Sequence, residues 1–410
     1  MNRRPELLAP AGDLEKMRFA IAYGADAVYM AGQRFGMRAA ATNFDDDALR
    51  QGIAYAHARG VKCYLTVNIM PSGRDLPALP GYLELAQDVG ADALIVADVG
   101  VIRMAQKYAP KVPLHISTQT SILNAEAANF WADLGAERVV LARELSFEEI
   151  AVIRDETPKT LQIEAFVHGA MCISYSGRCL ISQYMTGRDA NHGACAQPCR
   201  WNYVLMEEKR PGEYFPVEED ERGTYLYNAK DLCMIEHIPE LIETGIDSFK
   251  IEGRNKTAYY AACVTGAYRA AIDAYRQDPA GYTLPQFCRD EVNKVSHRAY
   301  YTGFYLPDGE IGQQYGDSQY IREYEVVGMP VECYADGHTV FALKNRIFAG
   351  EELELLQPGK TPYVFCAHGM VNDDGQALEV FNVPQMRVHF SFPFEADRYA
   401  ILRKKQERPL

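Results

Sequence analysis

Several features that would place this 410-residue chain in a familiar class are missing or scarce. No stretch approaches the roughly eighteen consecutive apolar residues that indicate a membrane-spanning helix. The first residues, MNRRPELLAPAG, contain no apolar segment of a secretion signal, so we expect a cytoplasmic protein without disulfides. Positive charge is scarce, because 42 Lys and Arg face 55 Asp and Glu, for a net charge of −13. This balance argues against a nonspecific nucleic-acid binder, while a local basic surface would still permit a nucleic-acid substrate.

Two sequence motifs of hydrolytic enzymes are also missing. There is no H-E-x-x-H, which supplies two zinc ligands and a general base from one helix face. There is no G-x-S-x-G, the strand-to-helix turn that presents a nucleophilic serine. The chain does have 48% hydrophobic residues, which is enough for a large packed core.

Four of the ten cysteines are gathered in one short segment with the spacing C-x6-C-x15-C-x3-C. They are Cys172, Cys179, Cys195 and Cys199. The surrounding Gly, Pro and polar residues are typical of a loop, where a thiol gains little from packing alone. Clustered thiolates in a chain without disulfides usually bind zinc or an iron–sulfur cluster. Zinc sites prefer C-x2-C pairs, which are absent here, so the spacing favours iron and sulfur.

A fifth cysteine, Cys233, is an alternative ligand. The segment before it reads as a hairpin followed by a helix, with Asn228 or Asp231 near the N-cap and Cys233 in the first turn. A helix N-terminus lowers the pKa of a thiol and favours the thiolate that binds metal.

Short apolar runs alternate with amphipathic helical runs through the first 270 or so residues, which predicts parallel strands joined by helices. The predicted strands span residues 6–9, 27–31, 62–67, 93–97, 114–118, 138–142, 162–167 and 248–252. The predicted helices span residues 14–23, 46–59, 76–89, 99–108, 125–134, 147–155, 234–244 and 258–275. Eight such units close a (β/α)8 barrel of the triosephosphate-isomerase type.

The barrel accounts for only part of the chain. We expect the barrel to occupy residues 1–277, with a long cysteine-bearing insertion after the seventh strand at residues 173–231. A helical and loop connection would follow at residues 278–319. Short β-like runs separated by Gly, Asp and Asn predict a small antiparallel β domain at residues 320–410.

Barrels of this kind place their chemistry in the loops that follow the strands, so polar residues at the strand ends form a map of candidate site residues. A single polar residue at a strand end is more often a helix cap than a catalyst. The prediction of a site rests on the whole set, because its members share one rim. The catalytic candidates are Glu164, His168, Lys250, Glu252 and Arg254. The substrate-binding candidates are Tyr29, Asn68, Gln119, Arg143, Tyr175 and Arg178.

The segment EAFVHGAMCISYSGRCLIS resembles the signature of the U32 peptidase family. The matching residues are Glu164, Phe166, Gly169, Cys172, Gly177, Arg178, Cys179 and Ser182. The likeness continues through RDANHGACAQPCRW and FKIEGR and covers nearly the whole chain. Within the family the chain looks most like the branch that makes 5-hydroxyuridine at the tRNA wobble position, independently of molecular oxygen and with a dependence on prephenate. Related branches hydroxylate a ribosomal RNA cytidine or a ubiquinone precursor.

The resemblance implies a [4Fe–4S] cluster held by Cys172, Cys179 and Cys195. The fourth ligand is Cys199 or Cys233, and the tRNA branch favours Cys199. It also implies a tRNA substrate and prephenate as co-substrate, a dicarboxylate whose charge suits arginine. A second protein of the same family is a further expected partner.

Other readings of the sequence remain open at this point. Cys172 and His168 could form the nucleophilic pair of a hydrolase, although the other clustered cysteines would then have no role. A scaffold protein that uses the cluster structurally is the third alternative. Tyr175, Trp201 and Tyr203 could stack on a flipped base, with packing in the core as the more common role of aromatic residues.

Overall fold

The computed structural model of the chain describes residues 4–37, 42–171, 181–188, 190, 193–198, 230–306 and 320–406. The described residues form two compact units. The first unit lies within residues 1–17, 26–256 and 298–320, and the second within residues 18–25, 257–297 and 321–410. Among the described residues, no helix is both long and apolar enough to cross a membrane.

Eight parallel strands of the first unit close into a barrel, which confirms the predicted fold. The ring closes because the last strand pairs with both the first and the seventh, so that Ser248 is the register partner of Glu6 and of Glu164. Beyond their first residues the ring strands are almost entirely buried, which explains their continuous apolar sequences. The ten strands of the sheet are β1 (Glu6–Pro10), β2 (Ala27–Met30), β3 (Lys62–Val67), β4 (Ala93–Val96), β5 (Leu114–Ile116), β6 (Ala136–Val140), β7 (Gln162–Ala170), β8 (Asp231–Cys233), β9 (Ser248–Ile251) and β10 (Tyr300–Tyr301), of which β1 to β7 and β9 form the ring.

Local sequence signals begin and end the helices. Ser146 and Glu149 form a reciprocal capping box at the start of one helix, and Asp98 caps another by accepting a hydrogen bond from the amide of Val101. Gly24, Gly90, Gly135 and Gly245 adopt the positive φ expected just after a helix end. The helices are α1 (Leu14–Ala22), α2 (Asp46–His57), α3 (Leu79–Asp88), α4 (Val99–Tyr108), α5 (Ala125–Asp133), α6 (Phe147–Glu156), α7 (Ile181–Thr186), α8 (Ile238–Glu243), α9 (Ala258–Gln277) and α10 (Gln286–Asn293).

Strand β8 corrects one prediction. Asp231–Cys233 was expected to begin a helix, but it forms a strand that pairs antiparallel with the end of β7, with Cys233 opposite His168. The short strand β10 then adds to β8. The next regular helix, α8, begins only at Ile238. Cys233 therefore lacks the helix N-terminus that was expected to lower the pKa of its thiol.

The second unit contains the predicted antiparallel sheet, together with α9 and α10. Its apolar core is built around Phe341, Leu353, Phe381 and Leu402, which are fully buried. Its strands are β11 (Tyr324–Cys333), β12 (His338–Leu343), β13 (Ile347–Phe348), β14 (Glu352–Leu356), β15 (Tyr363–Cys366), β16 (Val371–Asn372), β17 (Val380–Phe381), β18 (Arg387–Ser391) and β19 (Ile401–Lys405).

Candidate functional site

A cleft opens at the carboxyl ends of the barrel strands, where barrels of this kind place their active sites. It encloses about 620 Å³, including the part that is open to solvent. Three of its side chains are cationic and one is anionic, so the described lining favours an anionic ligand. The lining residues are Tyr29, Met37, Thr66, Asn68, Ile95, Ser117, Thr118, Gln119, Arg143, Phe166, Lys250, Glu252 and Arg254.

Lys250 lies on the floor of this cleft and is bound from below by Glu164. Its Nζ is 2.7 Å from Oε1 of Glu164, and both side chains are almost completely buried. The ammonium also lies 4.7 Å from the centroid of the Tyr29 ring and 5.3 Å from that of Phe166. The aromatic faces and the carboxylate together fix one position for a cation that would otherwise be costly to bury.

Beneath Lys250 the barrel interior carries further charges. Arg138 donates from Nη1 to Glu164 at 2.9 Å and to Glu6 at 2.6 Å, while Tyr64 donates to the other oxygen of Glu6 at 2.6 Å. The order of charges is therefore Glu6, Arg138, Glu164, Lys250, with alternating sign and a total of zero. Such pairing is what allows four ionised groups to lie inside a barrel.

The pKa values of these buried groups shift in ways that preserve the pairing. Burial alone would raise the pKa of Glu6, but the Arg138 guanidinium and hydrogen bonds from Tyr64 and Ser248 outweigh it and lower that pKa. Burial raises the pKa of Tyr64, so its hydroxyl stays neutral and donates to Glu6. Burial, with the charges of Arg138 and Lys250, lowers the pKa of His115 well below its usual value, and the imidazole is neutral.

Arg143, at the end of the sixth ring strand, has a donor to spare. Its guanidinium lies 3.9 Å from the centroid of the Phe166 ring, and Nη1 donates to the carbonyl oxygen of Ala170 at 2.7 Å. Its Nε is buried and has no hydrogen-bond partner among the residues that the structure describes. A buried, unpaired guanidinium N–H is costly. Arg143 also lines the cleft, where its guanidinium suits a carboxylate or phosphate.

Arg254 and Glu252 follow the last ring strand and also line the cleft. Arg254 donates to the carbonyl oxygen of Met37 and, at 3.4 Å, to the hydroxyl of Thr66. The hydroxyl of Tyr29 donates to the carbonyl oxygen of Ile251 at 2.9 Å and lies 3.4 Å from Oε2 of Glu252. Backbone and side-chain contacts thus orient both residues towards the same opening.

Asn68 and Gln119 are brought together as predicted, and they bind each other. Nδ2 of Asn68 donates to Oε1 of Gln119 at 2.8 Å, and Nε2 of Gln119 donates to the carbonyl oxygen of Asn68 at 2.7 Å. The hydroxyl of Ser117 donates to the same Oε1 at 2.9 Å. These two amides form one wall of the cleft. Most of their hydrogen-bonding groups are already paired within the protein, which fixes their orientation.

Two of the catalytic candidates, His168 and Glu164, do not line the cleft. His168 is buried, and its Nε2 lies 3.4 Å from the hydroxyl of Tyr300 on β10, on the extension of the sheet outside the ring. Asp98 serves as the N-cap of α4, which is the common role of a polar residue after a barrel strand. Glu164 contacts the cleft only through Lys250.

The cysteine segment leaves the barrel beside the cleft, because Met171 follows β7 and its sulfur lies 3.9 Å from Nη1 of Arg143. Cys195 is partly exposed, has no disulfide and accepts a hydrogen bond from the amide of Gln197 at 3.4 Å. The predicted ligands Cys172, Cys179 and Cys199, and the binding candidates Tyr175 and Arg178, lie outside the described residues. Among the described residues, no three His, Cys, Asp or Glu side chains form a group that could hold a metal ion.

The charged residues inside the barrel, Glu6 and Arg138, were missed by the sequence reasoning. A signal for Arg138 exists in the strand sequence, because it is followed directly by the buried Val139 and Val140, as Glu164 lies between the buried Ile163 and Ala165. In a barrel, alternate residues point inward, so a charged residue in a buried strand has only the barrel interior to occupy.

Comparison with known proteins adds a family and several relatives. The sequence matches the model of peptidase family U32 over residues 12–314 and that of the peptidase family U32 C-terminal domain over residues 322–403. It is 38% identical over 394 residues to a Bacillus subtilis (strain 168) protein named tRNA hydroxylation protein P1, covering 95% of this chain and 92% of that one. It is 38% identical over 419 residues to the Escherichia coli (strain K12) tRNA hydroxylation protein P, covering 92% and 91%.

A third relative has a different RNA in its name. The chain is 35% identical over 364 residues to a 23S rRNA 5-hydroxycytidine synthase of Escherichia coli (strain K12), covering 87% of this chain and 53% of that protein. Among solved structures, that of a U32 peptidase aligns with 61% of this chain and 93% of its own, with 15% identity and a TM-score of 0.39.

Proposed function

Because the chain belongs to peptidase family U32, with relatives named for the hydroxylation of RNA over most of its length, we propose that it is an RNA-modifying enzyme that hydroxylates tRNA. The product that the family resemblance favours is 5-hydroxyuridine at the wobble position, made without molecular oxygen and with prephenate as co-substrate. The observation that carries the proposal is the cationic cleft at the barrel mouth, from which the cysteine segment departs.

The described part of the cysteine segment fits a bound iron–sulfur cluster. Cys195 is accessible, is not in a disulfide, and already accepts an N–H···S hydrogen bond of the kind that tunes cluster potentials. We propose that Cys172, Cys179, Cys195 and Cys199 hold a [4Fe–4S] cluster, with Cys233 as the alternative fourth ligand. When bound, such a cluster supplies the electron transfer that no side chain can provide.

The residues of the cleft would bind and orient an anionic co-substrate. Arg143 and Arg254 both line the cleft, and their guanidinium groups suit a carboxylate. A dicarboxylate such as prephenate would be held between them, with Lys250 below. The same cations suit RNA phosphate, and a uridine flipped out of its stack would enter from the open side.

The proposal is tested by nucleoside analysis of tRNA from a strain that lacks the gene. We expect nucleosides derived from 5-hydroxyuridine to fall, and a plasmid copy of the wild-type gene to restore them. Cys195→Ala should fail to restore them and should lower the iron content of protein purified without oxygen. Cys366→Ala is the matched control, because that cysteine is exposed in the second unit and should leave both measurements unchanged.

Other outcomes separate this proposal from its alternatives. Unchanged tRNA together with loss of a hydroxyl from a ribosomal RNA cytidine or a quinone precursor would keep the hydroxylase chemistry and overturn the tRNA substrate. Cleavage of peptides by pure, iron-free protein, with all RNA unchanged, would support a hydrolase.

A further inference from the structure

Lys250 supplies the primary amine in the described lining of the cleft. We propose that this amine is a nucleophile and forms a Schiff base with a 2-keto carboxylate bound in the cleft. The inference rests on the proposed anion site at the barrel mouth and is independent of which RNA is modified.

The partner of Lys250 is placed to exchange a proton with it. A lysine attacks a carbonyl only as the neutral amine, so a neighbouring base must accept a proton from its ammonium. Nζ of Lys250 lies 2.7 Å from Oε1 of Glu164, and neither side chain is more than 6% exposed. A proton that moves from Lys250 to Glu164 leaves the total charge of the barrel interior unchanged, and Arg138 keeps Glu6 as its counter-ion.

The chemical class of the ligand follows from the neighbours of the amine. Arg143 and Lys250 lie over the same Phe166 ring, at 3.9 Å and 5.3 Å from its centroid. Both residues also line the cleft, so a carboxylate bound to the Arg143 guanidinium would bring an adjacent carbonyl carbon towards Nζ. A small molecule that carries both groups on neighbouring carbons is a 2-keto acid.

The step balances without an oxidant or reductant. The ammonium of Lys250 gives one proton to Glu164, and the lone pair of the amine attacks the keto carbon while the C=O π electrons move to oxygen. A second proton moves from nitrogen to that oxygen, which becomes a hydroxyl group. Glu164 then gives its proton to this hydroxyl, which leaves as water. The product is a protonated imine, and the Glu164 carboxylate is regenerated.

Burial and pairing alone do not identify a nucleophile, and the second unit offers a matched comparison. Nζ of Lys404 lies 2.8 Å from Oε1 of Glu351 and is 7% exposed, so its local setting closely resembles that of Lys250. Lys404 is absent from the lining of the barrel-mouth cleft. The proposal therefore assigns reactivity to Lys250 and none to Lys404.

The test is reductive trapping with pyruvate, the simplest 2-keto acid, and cyanoborohydride, followed by intact mass and peptide mapping. We expect one reduced adduct on Lys250 of the wild-type protein. Lys250→Arg should lose the adduct and Lys404→Arg should retain it. Glu164→Gln should slow its formation by about 10²- to 10⁴-fold, the usual range for a general acid–base group.

The mapping of wild-type protein decides the matter even if a variant fails to fold. Absence of label on Lys250 at saturating pyruvate, or equal labelling of Lys250 and Lys404, would overturn the proposal. An adduct on Lys250 in a protein whose deletion leaves tRNA unchanged would keep this inference and refute the proposed RNA substrate. No adduct on Lys250, together with loss of 5-hydroxyuridine-derived nucleosides in the deletion strain, would refute this inference and keep the proposed RNA substrate.

Discussion

Single residues in the barrel show how a polar site is built inside an apolar fold. Each of Glu6, Arg138, Glu164 and Lys250 would be costly to bury alone, since the desolvation of one ion amounts to several kcal/mol. Linked in alternating sign, they form a chain that runs from the lower end of the barrel to the cleft floor. This row of four charges holds the ammonium of Lys250 in place at the cleft. We expect the four residues to contribute unequally to stability. Arg138, which contacts two carboxylates, should matter most for stability.

Replacement of Arg138 by Met should lower the free energy of unfolding by about 3–5 kcal/mol, because it leaves Glu6 without its counter-ion and Glu164 with Lys250 alone. Chemical denaturation followed by circular dichroism measures this loss. Lys159→Met is the control, since the Lys159 side chain is exposed, pairs with Asp155 at 3.7 Å and donates to the carbonyl oxygen of Arg154 at 3.1 Å. It should change stability by less than about 0.5 kcal/mol. Equal effects of the two substitutions would mean that the charge chain does not stabilise the barrel.

At the scale of elements, the sequence was sufficient to predict the ring of strands and the helices between them. Buried runs such as AVYM and ALIV have no polar face, and positive-φ glycines follow the helices, so strand, helix and connection were each recognisable. The candidate cleft followed from this order, because all the strands run in one direction and their ends share one rim. Lys250, Glu252 and Arg254 line this cleft, and their catalytic roles stay predictions.

Long-range pairing explains what the sequence did not reveal. Asp231–Cys233 has a helix-like start signal, but the edge of β7 extends beyond the ring and takes this segment as a strand. The partners of His168 were equally hidden, since Tyr300 lies far away in sequence. Local propensity is a weak guide where a distant strand supplies the hydrogen bonds.

The loop after β1 is packed against the loop that carries Arg254, which leads to a prediction for Gly12. A Cβ at Gly12 would lie 2.1 Å from the backbone oxygen of Arg254, so Gly12→Ala must displace one of the two loops. We expect a loss of about 1–3 kcal/mol, as for other overpacked sites, measured as a lower melting temperature.

Gly73→Ala provides the control for this substitution. A Cβ at Gly73 would have no heavy atom within 4 Å, and the substitution should leave the melting temperature nearly unchanged. If Gly12→Ala melts like the wild-type protein, the close approach of the two loops is incorrect.

The whole molecule combines a barrel that carries the candidate site with a second unit that has its own core. The described lining of the barrel cleft carries three cations and one carboxylate, so it suits a small anionic co-substrate. With a total charge of −13, the protein as a whole does not attract polyanions. The attraction of RNA phosphate therefore depends on local cations such as those of the cleft. The account therefore depends on whether this cleft is where RNA modification occurs.

The most direct measurement is the level of 5-hydroxyuridine-derived nucleosides in tRNA from the deletion strain complemented with Arg143→Met. The account predicts a level at least about tenfold below that given by the wild-type gene, since a charge-assisted hydrogen bond is worth about 1.5–3 kcal/mol. Arg346→Met, at an exposed arginine of the second unit, should restore the wild-type level when both variants are present in equal amounts. Full restoration by Arg143→Met would contradict the account and place the chemistry outside the barrel-mouth cleft.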